Sequence, residues 1–541
     1  MVIDNNLGGS VIILETLLSK MTLKEKVGQI FQIGFNGKTV TPEIKGMIED
    51  YHVGGIIYFQ RNIYSLKQAA NLSNELQMLS VNQELGLPLI ISNDQEGGIV
   101  NRLTGAGGTH FPGNMVLGAT RDAVLSRKMG RAIAQELKVV GINMNLAPVL
   151  DVNTNMSNPV IGVRSFGEDP LLVAKLGEAF IIGMQLEGII ACGKHFPGHG
   201  DTTIDSHLEL PIVKYEKERL KKVELYPFIQ AIKAGVDSIM TAHICFPAIE
   251  PKKGVPATLS YNVLTGLLRE ELGYNGLIIT DCMEMNAIVS TFGTIEGSVM
   301  AIEAGSDMVL ISHTLDKQKA AIEEVIKAVK AGRITEERIN QSVIRILKLK
   351  EKRIGLNRMF NTDYKGINKK EGEEIAYQIA KKGVTLVKND KNLIPIKKGK
   401  KIVVFDFAIV HQTTLVENNK GYRNSFAHYL SEQGIQFEYF SLPDKCAKLP
   451  LLEGNNQVIV IVCIYDAVHN PQQVEIVKKL QIKGELFIAL AIRNPYDLNL
   501  FPEISTYLTT YDYSPANLKV ASEIITGKYV AQGILPITLT I

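Results

Sequence analysis

The chain has 541 residues, of which 45% are hydrophobic and 21% charged, a composition typical of a globular protein of more than one domain. Its basic and acidic residues nearly cancel, 58 against 56, so charge gives no case for binding to nucleic acid or to a membrane surface. No apolar run has transmembrane length, and residues 1–20 lack the hydrophobic core of a signal peptide. A cytoplasmic location is therefore expected, although a chain whose signal had been removed would look the same.

From about residue 28 to residue 353, apolar runs alternate with amphipathic stretches of helical length. Eight strands are predicted: Gln29–Gly34, Gly55–Phe59, Leu87–Asn93, Asn143–Val152, Ile189–His195, Ser238–Ile244, Gly276–Thr280 and Met308–Ser312. The predicted helices include Leu66–Val81, Ala123–Val140, Leu171–Glu187, Leu220–Ala234, Lys317–Lys330 and Thr335–Arg353. Eight strand–helix units are the number that closes a (β/α)8 barrel.

A second α/β pattern begins near Glu373. Its predicted strands are Lys401–Phe407, Val458–Ile464, Leu486–Ile492 and Tyr507–Tyr511, and its predicted helices are Tyr422–Gln433, Gln472–Gln481 and Ala516–Thr526. The predicted organisation is an α/β chain with a barrel at residues 10–355, a linker at 356–372 and a smaller αβα sandwich at 373–541. The second unit has no GxGxxG motif, so no nucleotide cofactor is expected.

The barrel hypothesis requires functional side chains at the carboxyl ends of the strands. Polar residues do lie at the carboxyl ends of five consecutive predicted strands, at Asp94, Asp151, Lys194-His195, His243 and Asp281. The amino ends of the strands show no comparable set in the sequence. The carboxyl end of the barrel is therefore the predicted site.

The segment Lys194–His207 holds three His, two Asp and a Lys in fourteen residues, beginning at the end of the fifth predicted strand. Within it, Asp205 and His207 form an Asp-x-His pair, in which the carboxylate can fix the imidazole tautomer and raise its pKa. This spacing predicts a general acid on a glycine-flanked loop. Asp281 could act as a nucleophile, stabilise a cation or bind a metal.

Five further residues are of the type that binds a polyhydroxylated ligand through charge-assisted hydrogen bonds. They are Asp94, Arg102, Arg164, Lys194 and His195. The five cysteines are odd in number and lack CxxC spacing, which favours reduced thiols over a disulfide or zinc framework.

These segments together resemble glycoside hydrolase family 3, in its β-N-acetylglucosaminidase branch. The resemblance rests on Asp94–Gly98 with Arg102, Leu146–Asp151, Arg164–Pro170, Lys194–Gly200 with Asp205–His207, Met240–His243 and Ile279–Asp281 in the barrel, and on Val384–Asp390, Arg493–Tyr496 and Gly533–Pro536 in the second unit. It covers nearly the whole chain. The Lys-His and Asp-Ser-His block is specific to that branch.

The resemblance implies a retaining exo-acting enzyme that forms a covalent glycosyl intermediate on Asp281. It implies that His207 is the acid/base with Asp205 as its partner, and that the five ligand-binding residues hold a terminal N-acetylglucosamine. The implied partner is a small carbohydrate, from muropeptides or from chitooligosaccharides, and no cofactor or metal is expected.

Three alternatives stay open at this stage. A phosphorylase on the same scaffold is one, because a neutral His acid/base repels phosphate less than a carboxylate does. A metal-dependent barrel hydrolase is another, although the first strand, ending at Phe35, offers no His-x-His. A non-catalytic sugar-binding module is the third, but it would have no need of Asp281 together with the Asp205/His207 pair.

Overall fold

The computed structural model describes residues 14–206, 209–356, 358, 360, 364, 366–397, 399–407, 425–442, 458–483 and 486–540. Eight parallel strands form a closed barrel, and a separate six-stranded sheet follows it. The predicted fold class, a (β/α)8 barrel with a smaller α/β sandwich, is confirmed.

All eight predicted barrel strands are present, most of them shorter than predicted. They are β1 (Phe31–Ile33), β2 (Gly55–Ile57), β3 (Ile90–Asn93), β4 (Met144–Asn145), β5 (Ile190–Phe196), β6 (Ser238–Thr241), β7 (Leu277–Cys282) and β8 (Met308–Ile311). The barrel closes where Gln32 of β1 lies between Gly55 of β2 and Leu310 of β8. Residues of β1 to β6 and β8 are fully buried, while Asp281 and Cys282 at the end of β7 are partly exposed.

Helices connect the strands and cover the barrel. Residues 14–20 form α1. The helices that follow in the barrel region are α2 (Leu23–Gln29), α3 (Pro42–Glu49), α4 (Leu66–Val81), α5 (Asn114–Thr120), α6 (Ala123–Val139), α7 (Pro170–Leu186), α8 (Lys217–Lys222), α9 (Tyr226–Lys233), α10 (Asn286–Val289), α11 (Thr294–Ala304), α12 (Leu315–Lys330) and α13 (Glu336–Arg353). A π-helix covers Asn262–Glu271.

Helix starts follow local capping chemistry. Thr22 and Glu25 form a capping box at α2, and the Thr335 hydroxyl accepts the Arg338 N–H at α13. The prediction of one helix over Leu220–Ala234 was wrong, because the chain breaks between α8 and α9. Pro227 lies in the first turn of α9, where its missing N–H is tolerated, and it could not continue the preceding helix.

The second sheet has the order β11-β10-β12-β13-β14-β9, with only β9 antiparallel. Its strands are β9 (Thr385–Asn389), β10 (Lys401–Phe407), β11 (Glu438–Leu442), β12 (Val458–Ile464), β13 (Leu486–Ala491) and β14 (Thr506–Thr509). Its helices are α14 (Lys369–Gly383), α15 (Phe426–Glu432), α16 (Pro471–Lys483) and α17 (Pro515–Ile525). The sequence predicted β10, β12, β13 and β14, but it did not predict the two edge strands.

A network of buried charge lies at the base of the barrel, where the strands begin. Asp307, just before β8, accepts hydrogen bonds from Ser342 and Arg345 at 2.9 and 3.0 Å and also pairs with Arg269. Asp237, just before β6, pairs with Lys352 and Arg353 at 2.9 and 2.7 Å. The expectation that the amino ends of the strands carry no comparable polar set was therefore wrong.

Helix α13 supplies most of these partners, and it also carries Lys350. That fully buried side chain donates to Gln29 Oε1 at 2.7 Å, at the end of α2. Burial lowers the pKa of Lys350 to about 7. One helix therefore ties together the starts of β1, β6 and β8, which explains the charge at the base by structure alone.

The second domain contacts the loops at the mouth of the barrel, where the strands end. Asp512 accepts the Gly113 N–H at 2.6 Å, and Tyr496 accepts a hydrogen bond from the Asn153 side chain at 3.1 Å. The approach of Asp512 requires glycine at residue 98, whose φ is +57° and where a Cβ would lie 2.7 Å from the Gly113 Cα. The two domains are thus joined beside the loops that leave β3 and β4.

Candidate active site

A cavity of about 540 Å³ opens at the mouth of the barrel. It is lined by every predicted site residue that the structure describes, namely Asp94, Arg102, Arg164, Lys194, His195, Asp205 and Asp281. His207 lies outside the described residues. The fold therefore brings together side chains that are up to 187 positions apart in the sequence (281 − 94).

Three of the residues that line this cavity, Asp94, Arg164 and Lys194, form ion pairs with one another or with the buried Glu96, and we call these four residues the ion-paired wall. Lys194 Nζ lies 2.8 Å from Asp94 Oδ1 and 2.7 Å from Glu96 Oε1. Arg164 binds the Glu96 carboxylate through two parallel hydrogen bonds of 2.9 and 2.8 Å. The loops that leave β3 and β4 are therefore fixed by charge to each other and to the end of β5.

Burial within the wall is uneven. The side chains of Glu96, Arg164 and Lys194 are 2–3% exposed, whereas Asp94 is 16% exposed. Arg102 lies 3.6 Å from Asp94 Oδ2 and 5.8 Å from the centre of the Phe59 ring. Asp94 is thus the member of the wall with most access to the cavity, and the others hold it in place.

Charge neutralisation keeps the wall ionised despite its burial. Burial by itself raises the pKa of Glu96, but Arg164 and Lys194 outweigh it and hold that pKa far below its usual range. Burial likewise lowers the pKa of Lys194, but Asp94 and Glu96 reverse the effect and raise it. A buried charge of this kind persists only when it is paired and hydrogen-bonded.

The buried carboxylate of Asp151 holds the end of β5 and the start of the loop that follows it. It accepts the backbone N–H groups of His195 and His199 at 3.1 and 2.7 Å, and Oδ2 lies 2.7 Å from His195 Nδ1. Burial opposes its charge, but His195 and the hydrogen bonds hold the pKa of Asp151 below its ordinary value. An ionised carboxylate can only accept, so His195 Nδ1 carries a proton. In neutral His195, Nε2 is then a hydrogen-bond acceptor.

Asp281 lies at the end of β7, where its Oδ1 accepts the N–H of Cys282 at 2.7 Å. His243, which follows β6, does not line this cavity. Its Nε2 donates to the Cys282 carbonyl at 3.0 Å, so it supports the backbone that carries Asp281. The carboxylate of Asp281 is thus held at the cavity edge by its own strand, partly exposed.

The loop after β5 brings Asp205 and Ser206 to the cavity. His199 is buried inside this loop, with Nδ1 2.9 Å from Thr202 Oγ1 and Nε2 2.9 Å from Ser206 Oγ. Burial, together with the neighbouring His195, lowers the pKa of His199 to about 4, so its imidazole is neutral near neutral pH. Through these contacts the His199 ring binds Ser206, the residue directly before His207 in the sequence.

Several residues that line the cavity were not predicted from the sequence. They include Phe59, Arg61, Glu284 and His313. The Arg61 guanidinium lies 4.3 Å from the Phe59 ring centre, and that ring lies 5.3 Å from the His313 ring. The position of Arg61 and His313 just after β2 and β8 was the signal that could have identified them.

Among the described residues, no three or more His, Cys, Asp or Glu side chains are arranged to hold a metal ion. Within the same residues, no helix is both long enough and apolar enough to cross a membrane. The described cysteines, Cys192, Cys245, Cys282 and Cys463, are free thiols.

The comparison with known proteins agrees with this geometry. The family profile "Glycosyl hydrolase family 3 N terminal domain" matches residues 22–349. Beta-hexosaminidase A of Pseudoalteromonas piscicida is 32% identical over 93% of this chain and 92% of its own length. A beta-hexosaminidase of Nitrosomonas eutropha is 35% identical, but the match covers 58% of this chain and 90% of that protein.

A solved structure extends the likeness to both domains. The glycoside hydrolase family 3 beta-N-acetylglucosaminidase from Paenibacillus sp. str. FPU-7 is 41% identical and superimposes with a TM-score of 0.91, covering 96% of this chain and 99% of the other. The chain belongs to glycosyl hydrolase family 3, and it is a glycoside hydrolase.

Proposed function

We propose that this chain is a retaining exo-β-N-acetylglucosaminidase that removes terminal β-linked N-acetylglucosamine from muropeptide-type sugars or chitooligosaccharides. The observation that carries the proposal is the convergence of Asp281 and the five predicted sugar-holding residues on one cavity at the mouth of the barrel. Relatives named beta-hexosaminidase and beta-N-acetylglucosaminidase, which align along both domains, support the choice of sugar.

In the proposed complex, the ion-paired wall binds the hydroxyl groups of the terminal sugar. Asp94 offers its more exposed carboxylate, Arg102 lies beside it, and His195 Nε2 accepts a hydrogen bond. Because Glu96, Lys194 and Arg164 are already paired and buried, they need little rearrangement when the sugar enters. This arrangement favours a closed pocket for one sugar ring, as exo cleavage requires.

In the proposed first step, the Asp281 carboxylate attacks the anomeric carbon, and the bond from that carbon to the glycosidic oxygen breaks. His207, with Asp205 as its partner, gives its proton to the departing oxygen. In the second step His207 takes a proton from water, whose oxygen attacks the anomeric carbon and releases Asp281. Retaining glycosidases usually use two carboxylates, and here a His-Asp dyad replaces one of them.

The test compares 4-nitrophenyl β-N-acetylglucosaminide with the matching β-glucoside. Polar groups arranged for the acetamido substituent lose partners when it is missing, so kcat/KM is expected to differ by up to about 10⁴-fold. Comparable values for the two substrates would contradict the proposed specificity. The configuration of the first-formed product, followed by NMR, is expected to be β.

The same assay, repeated with and without inorganic phosphate, decides between water and phosphate as the acceptor. Hydrolysis yields free N-acetylglucosamine at an unchanged rate in both. A sugar 1-phosphate as the main product would contradict hydrolysis and favour the phosphorylase alternative.

Three further parts of the proposal have separate tests. Activity is expected to survive dialysis against EDTA, and loss that zinc restores would favour a metal-dependent hydrolase. Cell fractionation checks the predicted cytoplasmic location. Limited proteolysis checks the predicted linker at 356–372 between the domains at 10–355 and 373–541.

A further inference from the structure

The loop that carries the predicted acid/base pair is held at its last described residue by a buried imidazole. Ser206 is 2% exposed, and its hydroxyl oxygen lies 2.9 Å from His199 Nε2. Its carbonyl accepts the N–H of Ala287 at 3.3 Å, in the short helix α10 that follows Asp281. Ser206 thus connects the loop after β5 with the segment after β7.

The backbone of His199 is itself held in place by contacts outside the loop. Its backbone N–H donates to Asp151 Oδ1 at 2.7 Å, and its carbonyl accepts the Asn158 side-chain amide at 2.9 Å. The same Asp151 carboxylate holds His195, which lines the cavity. One buried anion therefore sets the position of both a predicted sugar-holding residue and the imidazole that binds Ser206.

The hydrogen bonds define which ring nitrogen carries the proton. Thr202 Oγ1 donates to the His199 carbonyl at 3.2 Å, so towards Nδ1, 2.9 Å away, it can only accept. Nδ1 is therefore protonated in the neutral ring, and Nε2 accepts the hydroxyl proton of Ser206. Each ring nitrogen then has one partner, and both partners belong to the loop.

We infer that His199 is a positioning residue for acid/base catalysis: through the bond from Ser206 Oγ to its Nε2, it holds Asp205 and Ser206 beside the cavity, directly before the proposed acid His207 in the sequence. The inference rests on the proposed function, since it assumes that His207, with Asp205 as its partner, protonates the leaving group. His199 itself lines the cavity, but both of its ring nitrogens are hydrogen-bonded to hydroxyl groups of the loop, so we do not assign it the role of the acid.

The test uses pairs of substrates that differ in their need for an acid. An activated aryl glycoside such as 2,4-dinitrophenyl β-N-acetylglucosaminide leaves without protonation, whereas N,N'-diacetylchitobiose requires it. Replacing Ser206 by Ala removes one neutral hydrogen bond, so kcat on chitobiose is expected to fall about tenfold with KM within about twofold. On the aryl glycoside the first step is expected to stay within about twofold of wild type.

Two nearly isosteric variants separate positioning from general support of the loop. In His199→Gln the amide takes the place of Nε2 and can still bind Ser206, whereas in His199→Asn it takes the place of Nδ1 and keeps only Thr202. His199→Gln is expected to retain most chitobiose activity, and His199→Asn to match Ser206→Ala. Thr203→Ala is the matched control, because Thr203 is an exposed hydroxyl in the same loop.

Equal losses on both substrates, wild-type behaviour of Ser206→Ala, or His199→Asn as active as His199→Gln would overturn the inference. His207→Ala and Asp281→Asn, measured alongside, identify which hypothesis has failed. If His207→Ala shows the substrate difference and Ser206→Ala does not, the acid/base proposal stands and the positioning role falls. If Asp281→Asn stays active, the proposed function itself is wrong.

Discussion

The two ends of the barrel both bury charge, but they do so for different purposes. At the mouth, Asp94, Glu96, Arg164 and Lys194 pair across two loops and the end of β5, and all of them but Glu96 line a cavity of about 540 Å³. At the base, Asp307 is surrounded by donors from the π-helix, from α13 and from the backbone N–H of Ile278. Burial and pairing are thus common to both ends.

The difference is what the paired groups face. The mouth groups meet at open space beside a partly exposed carboxylate, Asp281, whereas the base groups bind helix α13 to the starts of strands. Buried ion pairs are therefore weak evidence for a functional site unless they converge on a cavity that a ligand can enter. Removing a buried charge is therefore expected to lower activity at the mouth and to lower the free energy of unfolding at the base.

The largest effect is expected at Asp281. Asp281→Asn keeps the shape of the side chain but removes the nucleophile, so kcat should fall by several orders of magnitude while the fold is kept. Steady-state kinetics on an aryl β-N-acetylglucosaminide, with circular dichroism as the control for folding, measures this. A variant that kept more than about a tenth of wild-type activity, a difference of only ~1.4 kcal/mol, would remove Asp281 from the mechanism.

The next effect depends on the substrate. His207→Ala should lose about 10²–10⁴-fold in kcat/KM on a disaccharide, the usual contribution of general acid catalysis, and far less on an activated aryl glycoside. The ratio of the two losses is the quantity to measure. A ratio near one would give His207 a binding or structural role.

A matched pair of substitutions tests the two ends directly. Glu96→Gln at the mouth removes the anion that Arg164 and Lys194 share, so kcat/KM should fall about 100-fold, roughly 2.7 kcal/mol. Asp307→Asn at the base should lower the free energy of unfolding by about 3–5 kcal/mol, because it removes a fully buried carboxylate and leaves the partly buried Arg269 and Arg345 without their charged partner. Its kcat/KM per folded molecule should stay within about twofold.

Kinetics and denaturant unfolding of both variants complete this test. If Asp307→Asn changed kcat/KM as strongly as Glu96→Gln does, the separation between a functional mouth and a structural base would be wrong.

The smallest expected effect is a gain in stability from Lys350→Met at the base. The folded pKa of about 7 lies below the ordinary 10.5, so between these values the unfolded chain binds more protons and stability rises with pH. Below pH 7 Lys350 is protonated in the folded chain, and burial of its ammonium group lowers the free energy of unfolding of the wild type. Lys350→Met removes this cost but leaves Gln29 Oε1 without its partner, so a net gain of about 1–3 kcal/mol is expected.

Unfolding measured at pH 6 and pH 9 checks both the sign and the slope. The gain should be larger at pH 6, and the rise in stability between the two pH values should shrink in the variant. A variant less stable than wild type at pH 6 would show that the ammonium group is well accommodated after all.

Strand identity could be predicted because parallel barrel strands are buried on both faces and appear as apolar runs. That rule identified β1 to β8, but it did not identify the edge strand β11, whose residues are mostly exposed (Glu438, Tyr439 and Ser441). Helix periodicity extends over the break before α9 because a proline in the first turn of a helix disrupts no apolar pattern. The residues Arg61, Glu284 and His313 were missed because each is a single polar residue after its strand, without a neighbouring motif.

The contact of Asp512 with Gly113 has a consequence for how this enzyme can be divided. The Nitrosomonas eutropha relative matches only 58% of this chain, although the match covers 90% of that protein. In the present chain, a barrel cut free would leave the Gly113 N–H and the Asn153 amide without the acceptors that Asp512 and Tyr496 supply, next to the loops that carry Glu96 and Arg164. The second domain supplies no residue of the ion-paired wall, yet it anchors the loops from which Glu96 and Arg164 extend, so removing it would disturb the wall from outside the barrel.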